Sequence, residues 1–397
     1  MANDPDDSRP RHRSSLVTSP GVRWAVPAAA VALIAGGVAF RSANADAAAQ
    51  LPPKTAAQLL ADVAKAPQHP LSGTVVETAR LGLPELPGRA AGTSLQSLVT
   101  GSHTARVWYG TDAKARISLI GDLAETDVVR NGTDLWLWSS TTNEATHYKL
   151  PAHEAAAQGA PSAAQLDPAT AARRALAAID PTTTVQVDGT ARVAGRPVYE
   201  LRLAPRDARS LVGSVRIALD GTTSVPLRVQ VFAKGGTEAA FETGFTSVQF
   251  EQPAASIFTF TPPKGAKVVQ GGVPGGNARG GTSKPAMPHN VPPSKAPLAK
   301  GTKPASGEPQ RVSDVVGKGW TAVAVLPGVN VAALGQDQTA SALLRATSAV
   351  TLPNGTSARL LRTPLVSVLI AGNTAYVGAV DPAVVEQVAT STTSTNR

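Results

Sequence analysis

The hydrophobic pattern along the chain changes character several times. Residues 24–40 run without a charge between Arg23 and Arg41. Residues 55–66 then place Ala56, Leu59, Leu60, Val63 and Ala64 at the i, i+3, i+4, i+7, i+8 positions of an amphipathic helix. From there the period drops to two. Ala105, Val107 and Tyr109 alternate with Thr104, Arg106 and Trp108, and Ile117 and Leu119 with Arg116 and Ser118. Val215, Ile217 and Leu219 alternate with Ser214, Arg216 and Ala218, and Leu227, Val229 and Val231 with Arg228 and Gln230. Each such strand buries one face, and the apolar set is expected on the concave side of a curved sheet.

β-rich runs at 72–83, 103–110, 114–121, 126–132, 134–140 and 145–151 precede a helical stripe at 168–179, and runs at 182–193, 196–205, 213–221, 225–236 and 241–250 follow it. Asn131-Gly132 is a hairpin signal between two of them. Many antiparallel strands with two helices predict a large sheet that closes or curls to manage its edges. Leu135-Trp136-Leu137-Trp138 is apolar on both faces, which a covering helix or a second layer would explain. Packing beneath such a cover and direct ligand contact both fit the two tryptophans.

Residues 271–310 carry neither period and are loaded with Gly and Pro, so they cannot bury enough apolar surface to offset chain entropy. They read as a basic linker, with Arg279, Lys284, Lys295, Lys300 and Lys303 against Glu308. As a flexible tether, the linker alone would let the parts on either side tumble semi-independently. Four segments result: 1–45, 51–270, the linker at 271–310, and 311–397. The last reads as a small α+β unit, with strands near 320–326, 358–362, 365–370 and 375–380 and helices near 339–346 and 381–389.

Basic residues ahead of the apolar run, including Arg9, Arg11, Arg13 and Arg23, keep the N-terminus in the cytoplasm and send the rest outside. At about 1.5 Å per residue the run rises about 25 Å, the low end of a spanning helix. Ala43-Asn44-Ala45 fits a small-x-small cleavage site, so the segment reads as a signal sequence, or as a signal anchor if it is not cut. The expected location is the cell envelope outside the cytoplasm. Of the net charge of +9, part sits in the N-terminal tail and linker, where contact with a membrane surface is the functional reading and a solvated tether the plain one.

The end of the long β-rich region, PAASIFTFTPPKGAKVV, resembles the F-x-F-x-P-P-x-G-x-x-V ending of the LolA family of lipoprotein carriers, shared with the MucB/RseB periplasmic regulators. It falls on Phe258, Phe260, Pro262, Pro263, Gly265 and Val268. The resemblance covers about residues 54–270. It implies a mainly β fold, a half-closed antiparallel β-barrel with covering helices and an apolar cavity for acyl chains. Candidate cavity residues are Val107, Tyr109, Ile117, Leu119, Leu135, Leu137, Val229 and Val231. The function implied is non-enzymatic binding of lipid or lipoprotein acyl chains, as carrier or chaperone. The alternative is a MucB/RseB-like regulator that senses envelope stress and binds an anti-sigma factor.

No chemistry competes with that reading. With no cysteine there is no disulfide framework, thiolate metal site or cysteine nucleophile, and His147 and His153 are the only closely spaced pair among six histidines. No hydrolase, zinc-protease, phosphate-loop or dinucleotide motif is present, so neither a catalytic residue, a metal nor a cofactor is expected. His103 with Asp122 or Asp127 could meet in space. An exported chain with its excess charge in linker and tail, and no aromatic-basic face, has no nucleic-acid partner.

Overall fold

In a computed structural model the protein is described over residues 51–83, 101–150 apart from 112, 122 and 123, 167–271 apart from 178, 314–329, 331 and 338–395. The apolar run at 24–40, linker residues 272–310, Asp122 and His153 lie outside the described residues.

Helix α1 (Ala56–Lys65) is started by a capping box: Thr55 Oγ1 accepts the Gln58 N–H at 3.2 Å and the Gln58 side chain accepts the Thr55 N–H at 2.7 Å. Helix α2 (Pro168–Ala177) begins with Pro at its first position, and the Asp167 carboxylate accepts the N–H groups of Ala169 and Thr170, each at 3.0 Å. Both helices lay their apolar stripes on the long sheet, through Leu59 and Ala172.

That sheet is two meanders joined edge to edge. The first comprises β1 (Leu71–Ala79), β2 (Gly101–Tyr109), β3 (Lys114–Ile120), β4 (Glu125–Asn131), β5 (Asp134–Ser139) and β6 (Glu144–Lys149). The second comprises β7 (Thr183–Val193), β8 (Arg196–Pro205), β9 (Val212–Asp220), β10 (Pro226–Ala233) and β11 (Ala239–Gln249). Antiparallel pairing of β1 with β11 joins them, and β12 (Lys267–Gln270) adds in parallel to β6. The order β12-β6-β5-β4-β3-β2-β1-β11-β10-β9-β8-β7 leaves the two end strands unpaired with each other, so the sheet is curved and open, as the half-barrel reading expects.

The β4–β5 hairpin differs in detail from its sequence signal. Its two-residue loop is Gly132-Thr133, and of these only Gly132 has positive φ, +62°. Glycine at the first loop position is the type II′ pattern, so the signal sits one residue later than Asn131-Gly132 suggests.

A second, six-stranded antiparallel sheet contains β13 (Asp314–Val316), β14 (Val323–Pro327), β15 (Ser348–Thr351), β16 (Ser357–Arg362), β17 (Ser367–Ala371) and β18 (Thr374–Gly378). Helix α3 (Gln338–Arg345) precedes β15, and α4 (Pro382–Thr395) buries Val385 and Ala389 against Leu360 and Leu369 of the sheet. The strand expected near 320–326 starts only at Val323, because Gly319–Thr321 makes a single 3₁₀ turn that aims Trp320 at the first sheet. Trp320 Nε1–H donates to Thr183 Oγ1 at 2.8 Å, and Ser210 bridges Val380. Backbone bonds from Leu211 to Ala379 and from Asp381 to Arg209, each 2.9 Å, add to the attachment. Contacts as well as chain therefore hold the two sheets together.

Candidate functional site

The strand pairings put all eight apolar candidates on one face of the long sheet. Val107 lies opposite Ile117, which lies opposite Val128 and then Leu137; Tyr109, Leu119 and Leu135 share that face. Across the other meander, Val229 pairs with Ile217 and Val231 with Val215. Val107, Ile117, Leu119, Leu135 and Val229 are buried, while Tyr109, Leu137 and Val231 are half-buried. The eight divide between two clusters. Val229 and Val231 lie under the helices with Leu201, Leu203 and Ile217. The other six pack with Val193, Val198 and Leu227, from around the β7–β8 and β9–β10 turns, because the curl of the sheet brings those turns over the first meander. The Tyr109 hydroxyl is pushed well above its ordinary pKa by burial and by the Asp167 carboxylate, which places the start of α2 beside it.

Two charged residues interrupt this face: Arg130, on β4, which pairs with Ala115 and Leu135 and donates from Nε to the Gly132 carbonyl at 3.3 Å, and Glu77. Glu77, on β1, pairs across the strands with His103 and Thr243. It is 1% exposed, and neither carboxylate oxygen has a hydrogen-bond partner. Burial pushes its pKa up from 4.5 to about 8, so the group is mostly protonated at neutral pH. Asp220 is as deeply buried but differs in its surroundings. Burial raises its pKa, yet Arg196, at 2.5 Å, and Thr223 more than offset this and hold the carboxyl below its ordinary value. Asp220 therefore serves the fold, whereas Glu77 is a polar group left open in an apolar face.

The opposite, convex face carries the cover that the tryptophans required, and it is an extended segment. After β11 the chain makes a 3₁₀ turn at Ala255–Phe258 against β3 and β4. Phe258 is fully buried, its ring so close to Gly110 that a Cβ there would sit 3.1 Å away. Phe260 packs on Trp136 with ring centroids 5.3 Å apart, and Trp136 stacks on His147 at 4.3 Å. Gly265, at φ +83°, turns the chain into β12, where Val268 pairs with Ala145. The six motif residues thus form a strap across the back of the sheet.

Beneath the strap lies a cavity of about 350 Å³, lined by Arg116, Glu125, Asp127, Trp138, Thr259, Phe260, Thr261 and Pro263. Asp127 accepts from Ser118 Oγ and from Arg116 Nη2, the latter at 2.5 Å. Arg116 Nη1 donates to the Ile257 carbonyl at 3.4 Å, while Arg116 Nε and Trp138 Nε1 are buried without a partner.

The chain is similar to MucB and to LolA-superfamily proteins. It matches MucB at 17% identity over 80% of this chain and 92% of that chain, with a TM-score of 0.37. It matches the Pseudomonas aeruginosa MucA/MucB complex at 19% identity over 84% and 96%, with a TM-score of 0.38. It matches the LolA-superfamily protein NE2245 from Nitrosomonas europaea at 10% identity over 52% and 99%, with a TM-score of 0.20. No protein-family model and no curated protein matches it. Its chemistry is therefore read from its own residues.

The structure answers two points that the sequence left open. His103 and Asp127 do not meet: His103 is on the concave face beside Glu77, and Asp127 is on the convex face, held by Arg116 and Ser118. The covering layer over Trp136 and Trp138 is the motif segment itself. Glu77 was legible in principle, because it occupies an inward position between Val75 and Ala79 of an alternating strand.

Proposed function

We propose that the concave face of the long sheet holds acyl chains, and that the protein is an exported, non-enzymatic carrier or chaperone for lipids or lipoproteins. One observation carries this reading: the apolar face runs across both meanders of an open sheet, yet the described helices lay their apolar stripes on the second, with only the start of α2 reaching Tyr109 on the first. Over the first meander the cover among the described residues is a pair of turns, which would part to admit a chain. Transfer from a bilayer exchanges one apolar contact for another, at roughly 0.8 kcal/mol per CH₂, so release stays reversible only when the face matches lipid closely. The basic linker would keep the protein near an anionic membrane surface.

Protein purified from its host envelope should carry lipid detectable by mass spectrometry and, once delipidated, should take up a fluorescent fatty acid. Absence of both would remove the reading. Leu137→Gln, at a half-buried position, should lower uptake several-fold while the fold persists. Leu119→Glu is less informative, since Leu119 is 2% exposed and a carboxylate there would be buried unpaired. The second reading, a regulator that binds an anti-sigma factor, is favoured by the second sheet fixed beside the first through Trp320 and Ser210. Its test is recovery of an anti-sigma protein in pull-downs from solubilised membranes.

A further inference from the structure

We propose that the cavity beneath the strap is a second binding site, separate from the concave face, which takes a guanidinium or primary ammonium group. Charge and wall chemistry point to this class. Two carboxyl groups, Glu125 and Asp127, share the cavity with one guanidinium, that of Arg116. Both oxygens of Asp127 are already engaged by Ser118 and Arg116. Arg116 in turn is committed to Asp127 and to the Ile257 carbonyl, and its Nε is shut away from the cavity's solvent, so no cationic donor is left to receive an anion.

Glu125 is the group left over. Its backbone N–H is held by Ser140 Oγ at 2.8 Å, which fixes the residue at the start of β4, but no described lysine or arginine forms an ion pair with its carboxyl. Burial, the charge of the neighbouring Asp127 and a hydrogen bond between the two carboxyl groups raise its pKa, with Arg116 and Arg106 opposing. A monocation seated beside the pair would take the place of the proton that the two carboxyl groups share. The aromatic walls Trp138 and Phe260 suit the same guest, since the faces of indole and phenyl rings attract cations. Thr259 and Thr261 supply hydroxyl and carbonyl oxygens as further acceptors for its N–H groups. The volume is at the small end of ligand pockets, the size of one side chain or one small amine.

Full-length protein in detergent, labelled with 5-fluorotryptophan, gives a fluorine resonance for Trp138 that is identified by its loss in Trp138→Phe. Titration with N-acetyl-arginine amide should move that resonance saturably, while the neutral N-acetyl-citrulline amide should not. Glu125→Gln, a near-isosteric change at a partly exposed position, should weaken the response about tenfold. Tighter binding of glycyl-arginyl-glycine than of ethylguanidinium would assign the site to a basic side chain of a peptide. Equal binding would assign it to a free small cation. No movement of the Trp138 signal with any cation, equal response to citrulline, or unchanged affinity in Glu125→Gln would overturn the proposal.

Discussion

The two meanders of the long sheet bury the same kind of surface by different means. β7 to β11 lie under helices, with Leu59 of α1 and Ala172 of α2 set onto Leu201, Ile217 and Val229. β1 to β6 have no described helix of their own. Their concave side is closed by the turns around Val193 and Leu227, and their convex side by the strap that carries Phe258 and Phe260. A helix satisfies its own backbone hydrogen bonds and can be laid on a sheet as a finished unit, whereas an extended cover must find its bonding partners in the sheet. The strap does so at Asn143, whose side-chain amide donates to the Gly265 carbonyl at 3.0 Å, and then along β12. The first meander is thus covered from behind by an extended segment bonded to the sheet and from the front by side chains of the two turns.

The largest effect that would sharpen this contrast is expected at Phe258. Removing a fully buried ring leaves a cavity under the strap, so Phe258→Ala should cost about 3–5 kcal/mol of stability, read by urea denaturation. Phe260→Ala, at a half-buried ring, should cost clearly less. If the two cost the same, the strap is not seated through Phe258.

Glu77 comes next and tests the front of the sheet. Its pKa of about 8 in the folded state exceeds the 4.5 of an ordinary glutamate, so between those values the native state binds more protons than the unfolded state. Stability therefore falls as pH rises through this window, and is least once the carboxyl is ionised in both states. The fall from about pH 5 to about pH 8 is at most roughly 3–4 kcal/mol at about 1.36 kcal/mol per unit. Glu77→Gln keeps the shape and removes the titration. The variant should gain on wild type with rising pH in denaturation experiments, and parallel pH profiles would show that Glu77 finds a partner.

The same contrast explains how much of the molecule was legible in its sequence. Period-two alternation located the strands of both meanders, and the stripes at Leu59 and Ala172 located both helices that cover the second. The strap was visible only as a motif, because an extended segment of Phe, Thr and Pro has no period to reveal which face it covers. β12, β13 and β15 escaped for a related reason: each is four residues or fewer, too short for alternation to declare itself. The concave candidates followed from parity along strands. The cavity of Arg116, Glu125, Asp127 and Trp138 did not, since it depends on cross-strand register and on a segment more than a hundred residues further along the chain.

A smaller effect is expected where the second sheet meets the helix-covered meander. Trp320→Phe retains most of the ring but loses the bond from Nε1 to Thr183 Oγ1. A single hydrogen bond of this kind is worth about 0.5–1.5 kcal/mol. If the attachment is as cooperative as its backbone bonds suggest, amide exchange should rise together at Leu211 and Asp381. An increase confined to β7 would instead show that the sheets separate without disturbing one another.

The smallest effect concerns how α1 is held. Thr55 and Gln58 satisfy each other's backbone N–H groups at the helix start, so Thr55→Ala removes one acceptor and leaves the apolar stripe intact. The expected loss is about 1 kcal/mol. Its informative feature is location: if the helix-covered meander is the rigid half, the loss should fray only the first turn of α1, including the bond from Leu59 N–H to the Thr55 carbonyl, with exchange at Val63 and Leu201 unchanged. Because Leu59 is 2% exposed and packs with Leu201, release of the whole helix would expose both. Faster exchange at Leu201 in Thr55→Ala would then mean that α1 is a movable cover, and that the second meander can open.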